Sequence, residues 1–132
     1  MAIDFHPRPG MVLICNFETG FVPPEMVKPR RVVIVSRGEH NKYGLCTVLP
    51  FSTTPPITEQ RFHVKFDPGT YPFLHQTLPC SAKCNMINTL STSRLDRIRV
   101  RGRYMSPSLE SDDLAKIYEA MLTVFDKWGK NR

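Results

Sequence analysis

Three short apolar runs dominate the first half of the chain, and each ends in polar or basic residues. Residues 11–17 read Met-Val-Leu-Ile-Cys-Asn-Phe and residues 31–36 read Arg-Val-Val-Ile-Val-Ser. Aliphatic and β-branched stretches of this length predict strands buried on both faces. Residues 44–50 predict a third strand, reached through the turn-like stretch 38–42. Residues 61–66, Arg-Phe-His-Val-Lys-Phe, alternate basic with apolar, predicting a half-buried strand with Phe62, Val64 and Phe66 inward. Gly20 and the Pro23-Pro24 pair make 18–26 a loop. Residues 67–72 open a long proline-bearing loop ending near Ser81, and a further strand is predicted over 82–90.

The period then changes. Leu114, Ile117, Met121, Val124, Phe125 and Trp128 are spaced for one face of a helix. Ser111, Asp112 and Asp113 suit its N-terminus, and Lys127 and Lys130 its opposite end. Short strands closing on themselves, followed by one amphipathic C-terminal helix, predict a mainly β (α+β) fold. The expected architecture is a small, partly open barrel. No internal repeat or composition shift divides the chain, so residues 1–132 are expected to form one domain.

Composition changes this picture in one respect. Hydrophobic residues at 41% and charged residues at 23% are ordinary for a globular protein, but the net charge of +6 favours a polyanionic partner. Basic residues concentrate at 28–31 and 94–103, acidic ones at 110–113. No apolar run reaches membrane-span length, and the first residues lack the basic and apolar regions of an export signal. A cytoplasmic location without membrane contact is therefore expected. Cys15 and Cys46 fall in apolar strands and read as core residues. Cys80 and Cys84 lack the second pair that a zinc site uses, so no metal or other cofactor is expected.

The candidate chemistry lies at the strand ends. Arg30 stands at the foot of an apolar strand, where its planar fork is suited to gripping phosphate, and Arg31 carries the same argument. Ser52, Thr53 and Thr54 lie between prolines, a stiff run of hydroxyls able to donate to phosphate oxygens. Glu25, five residues before Arg30, offers a carboxylate that could pair with a basic group or move a proton. Lys28 adds charge beside Arg30, and on a continuous 82–90 strand Lys83 and Asn85 would share one face. The four histidines show no spacing that pairs them and are left out of the catalytic set.

Pro-Gly-Met-Val at 9–12, Arg-Arg-Val-Val-Ile-Val-Ser at 30–36 and Leu-Pro-Phe-Ser-Thr-Thr at 49–54 together resemble the PemK/MazF family of toxins from type II toxin–antitoxin systems. The resemblance extends through 83–86, Arg-Leu-Asp-Arg at 94–97 and Asp-Leu-Ala at 113–115. It implies an SH3-like barrel with a C-terminal helix, forming a homodimer and acting as a metal-independent endoribonuclease on single-stranded RNA such as mRNA. It also implies an acidic antitoxin as partner, and operator DNA as a ligand of the toxin–antitoxin complex. Carried over by motif, Arg30 and Ser52, with Thr53 adjacent, act on the scissile phosphate. Glu25 takes the place of the family's upstream glutamate and is the expected base. Asn16 stands where many family members carry aspartate, Asn85 where part of the family carries an aspartate proposed as base or orienting group, Lys83 in place of arginine, and Ser52 where threonine is usual.

Two other functions fit the same fold. Trp128-Gly129 is similar to the ending of gyrase-targeting toxins such as CcdB, which act on a protein rather than on RNA. An asparagine cannot take a proton as a carboxylate can, so Asn16 and Asn85 also fit a nucleic-acid-binding module without cleavage.

Overall fold

The structure, a computed structural model, describes residues 2–55 and 60–125. Its strands are β1 (Val12–Cys15), β2 (Arg30–Ile34), β3 (Leu45–Ser52), β4 (His63–Phe66), β5 (Cys80–Lys83), β6 (Asn88–Ser91), β7 (Leu95–Asp96), β8 (Ile98–Val100) and β9 (Arg103–Met105). A helical turn, α1 (Gly38–Asn41), joins β2 to β3, and α2 (Ser111–Phe125) is the last described element. The main sheet runs β4-β5-β3-β2-β1-β7 with β6 also on β3, all neighbours antiparallel. The sheet does not close, so the molecule is the expected mainly β, partly open barrel with a C-terminal helix.

The apolar runs do bury both faces. Val12, Val33 and Leu49 point into one core, which Phe51, Phe66, Tyr71 and Ile117 complete. Leu13, Val32, Ile34 and Val48 point into a second, with Cys15, Phe17, Cys46 and Leu95. At about 25 cal/mol per Å2 of apolar surface removed from water, such two-sided burial is the main stabilising term. Gly10 makes the first run possible. Its φ of +89° is a left-handed conformation, and a Cβ there would lie 3.3 Å from the Leu114 side chain.

β3 is the spine. Its first half pairs with β6 and its end with β5, while β2 lies along the other edge. Pro50, which has no N–H to donate, falls where the strand passes from β6 to β5. The expected 82–90 strand is broken at this bend. Residues 83–87 stand opposite only 49–50, so the surplus folds into a turn closed by Met86 N–H on the Lys83 carbonyl at 2.9 Å. Lys83 therefore ends β5 while the exposed Asn85 sits in the turn, and the two do not share a strand face.

Two further expectations are corrected. Residues 94–103, read only as a basic stretch, contribute to β7 and to the separate hairpin β8–β9. The helix buries Ile117 and Ala120 and partly buries Leu114 and Met121, but Val124 and Phe125, at the end of the described helix, are exposed. Ser111 is the first helical residue, with Asp112 and Asp113 in the first turn. Trp128, Lys127 and Lys130 lie outside the described residues.

All four cysteines are free and buried. Burial pushes the thiols of Cys15 and Cys84 up to about 12 and that of Cys46 up to about 11. In the unfolded chain the same thiols ionise from about pH 8.5 upward, so there the unfolded state loses protons first and folding stability falls as pH rises. The melting temperature is expected to drop between about pH 8 and pH 10.5, and to drop less in a Cys84→Ala variant. Equal slopes for the two proteins would contradict this account.

Candidate nucleic-acid interface

The rim of β2 and the end of β3 meet in a cavity of about 280 Å3. In β2 the last three residues are buried while Arg30 and Arg31 emerge, because Val32–Ile34 are the part held between the two cores. Register places Arg30 opposite Cys15 and Arg31 opposite Ile14. Ser52 and Thr53 arrive from the far end of β3, beyond the bend at Pro50, and line the same space as both arginines. Ser52 Oγ accepts from Thr54 N–H at 3.1 Å, which fixes the oxygen and leaves its own proton to donate.

His75, excluded on sequence grounds, also lines this cavity, beside Cys80. The loop before β5 carries it there. Tyr71, Phe73 and Leu74 are buried, and Gln76 Nε2 donates to the carbonyls of Tyr71 (2.9 Å) and Leu74 (2.8 Å). His75 Nδ1 accepts from the N–H groups of Thr77 (3.2 Å) and Leu78 (3.0 Å), which places the neutral ring's proton on Nε2. The imidazole is thus a donor. No residue spacing signals it, because the placement depends on this loop folding back upon itself.

Tyr71 ties the loop to α2. Its hydroxyl accepts from Glu110 N–H at 3.0 Å and donates to Asp113, and with burial first and Asp113 second its pKa is raised to about 12. Replacing Tyr71 with Phe strands these partners and is expected to cost about 1–2 kcal/mol in urea unfolding. An unchanged midpoint would refute that.

A second cavity of about 270 Å3 shares Ser52 and Thr53 and is completed by His63, Lys65 and Ser81 among others. His63 Nδ1 is buried without a hydrogen-bond partner among the described residues. Burial, with a smaller contribution from Lys83, holds this imidazole below its usual pKa and hence neutral. The two hydroxyls therefore form a ridge between a cationic chamber and a less charged one.

The remaining candidates are dispersed. Glu25 is exposed in the loop before β2, where Oε1 accepts from Val22 N–H at 2.7 Å, and it does not line the cationic cavity. Lys28 is exposed in the same loop and also lies outside the lining. Asn16 Oδ1 caps Glu18 N–H at 2.8 Å, and Asn16 lines a separate groove with Arg94. Lys83 pairs with His63 across β4 and β5 but lines neither cavity, and Asn85 lies in the turn beyond.

Fold and cavity together define a small, partly open β-barrel with a cationic chamber edged by hydroxyls. Residues 8–125 match the family described as PemK-like, MazF-like toxins of type II toxin–antitoxin systems, and the chain belongs to that family. The uncharacterized Escherichia coli (strain K12) protein YifN is 30% identical over 142 aligned positions, covering 92% of this chain and 93% of YifN. Among solved structures, MazF from Deinococcus radiodurans superposes with a TM-score of 0.70 at 16% identity, covering 92% of this chain and 98% of that one. A mycobacterial endoribonuclease, solved with its cognate antitoxin, gives 0.62 at 20% identity, covering 92% and 96%. These likenesses establish the shared fold.

Proposed function

We propose that this chain is the toxin of a type II toxin–antitoxin pair and cleaves single-stranded RNA without a metal ion. The observation that carries this reading is the convergence of Arg30, Arg31, Ser52 and Thr53 on one cavity. In the reaction the ribose 2′-oxygen bonds to the adjacent phosphorus and the bond from phosphorus to the 5′-oxygen breaks. A 2′,3′-cyclic phosphate and a free 5′-hydroxyl result. Arg30 stabilises charge on the non-bridging oxygens as it develops, and Ser52, with Thr53 beside it, holds the phosphate in line. His75 adds an N–H donor to the same chamber.

The 2′-OH must lose its proton. Glu25 is the nearest carboxylate before Arg30 in the chain, and its hydrogen bond to Val22 N–H has to give way for it to reach the phosphate. No carboxylate is among the described residues lining the cavity, which favours as second reading a module that binds RNA without cleaving it. Incubating the purified protein with long RNA in EDTA and assaying for 2′,3′-cyclic phosphate ends separates the two. Cyclic ends support the nuclease, and bound but intact RNA of varied sequence supports the module. An acidic antitoxin would dock on the same arginines, as charge complementarity requires. A homodimer that binds operator DNA with its antitoxin completes the proposal.

A further inference from the structure

The wall formed by Arg31, Leu74 and His75 has two sides. One faces the Arg30 cavity. The other faces a shallower cavity of about 310 Å3, completed by Gln76, Arg99 and Arg101 among others. The two arginines come from the β8–β9 hairpin, which is anchored by Ile98, fully inside the core, and by Val100 packed against it. The hairpin turns through Arg101 (φ +51°) and Gly102 (φ +82°), the two left-handed residues of a type I′ turn. Asn, Asp or Gly ordinarily fills the first of these positions, so the backbone supplies no reason for arginine there.

Charge and stacking supply one. Among the described residues Arg31, Arg99 and Arg101 have no carboxylate partner, whereas Arg37 and Arg97 are paired with Glu39 and Asp4. The Arg99 guanidinium lies 5.5 Å from the ring centroid of Tyr104, its cross-strand neighbour, and that tyrosine is 64% exposed. A guanidinium stacked on an exposed aromatic ring, with two further unpaired arginines on the adjoining cavity, is what single-stranded nucleic acid binds, phosphates on the cations and a base on the stacked surface. An acidic peptide would use the charges and leave the ring without a role.

We propose that this cavity is a second phosphate subsite, holding the strand that flanks the scissile bond. Arg31 is shared between the two subsites, Arg99 and Arg101 grip a flanking phosphate, and Tyr104 carries a base. The assignment rests on the reading of the Arg30 cavity as an RNA site.

The test measures binding of fluorescent, uniformly 2′-O-methylated oligonucleotides, which the proposed reaction cannot cleave, at lengths of about four and about twelve nucleotides. An Arg99→Ala/Arg101→Ala variant is expected to lose about tenfold in affinity for the longer strand and less than twofold for the shorter. On a single strand each neutralised phosphate contributes about 0.7 to the slope of log K against log salt, so removing two arginines lowers the slope by about 1.4. Arg99→Lys/Arg101→Lys should restore the slope, which separates lost charge from a damaged hairpin. Tyr104→Ala should weaken the longer strand without altering the slope. Unchanged affinity and slope in the alanine variant overturn the proposal. So does loss of binding to a polyglutamate peptide with the oligonucleotide unaffected. Failure of the wild-type protein to produce cyclic phosphate ends would count against the nuclease reading alone, since these affinities are read without cleavage.

Discussion

Arg30→Ala is expected to lower single-turnover RNA cleavage by about 10^2–10^3-fold, the usual loss when one preorganised donor to a developing oxyanion is removed. The loss should fall on the chemical step. On the proposed mechanism the guanidinium would neutralise charge that grows as the 2′-oxygen adds to phosphorus, and Arg31, which lines the same cavity, would still hold the ground-state phosphodiester. Arg30→Lys should recover only part of the rate, because an ammonium keeps the charge but not the two-pronged geometry. Folding should be untouched. Arg30 is exposed at the foot of β2, and exposed substitutions of this kind shift stability by about 0.5 kcal/mol or less. Measuring cleavage and melting temperature on the same preparation decides the matter. A full-rate Arg30→Ala enzyme would remove Arg30 from the mechanism, and a large fall in melting temperature would make its role structural.

The largest stability effect is expected at Asn41. Its side chain is wholly buried in α1. Nδ2 donates to the carbonyls of Pro7 (2.7 Å) and Ser36 (2.9 Å), and Oδ1 accepts from the Ser36 hydroxyl. That hydroxyl in turn accepts from Thr47 N–H at 2.8 Å, so one amide ties the N-terminal segment to the β2–β3 connection. Asn41→Ala leaves two carbonyls and a hydroxyl without partners away from water. The expected cost is about 3 kcal/mol or more, on the order of 10 °C in melting temperature. Asn41→Asp should be worse at neutral pH, since a buried carboxylate would face two carbonyls with no proton to offer them. Acidification should then recover part of the loss by restoring an O–H donor. A near-neutral Asn41→Ala variant would show that water fills the network.

Asn41 also marks a limit of reading the chain locally. Within residues 38–42 an asparagine among Gly, Glu, His and Lys reads as an ordinary turn residue. Nothing in that window reveals that Pro7, 34 positions earlier, will lie against it. His75 follows the same logic. It reaches the Arg30 cavity only because Tyr71, Phe73 and Leu74 bury themselves and draw the proline-bearing loop inward.

The sequence by itself determined the strands of the first half, their burial on both faces, the helix at the end and the emergence of Arg30 at a strand foot. These follow from side-chain period and from the cost of burying charge, which act within a few residues. The prolines around Ser52 and Thr53 likewise marked a hydroxyl run at the end of the third strand. Only the tertiary structure decided where β3 bends, that 82–90 breaks to follow it, that the basic stretch becomes β7 and a hairpin, and that Arg31 and His75 form a wall shared with the cavity of Arg99 and Arg101. Each of these depends on pairing between distant segments, and a cavity wall has no period along the chain.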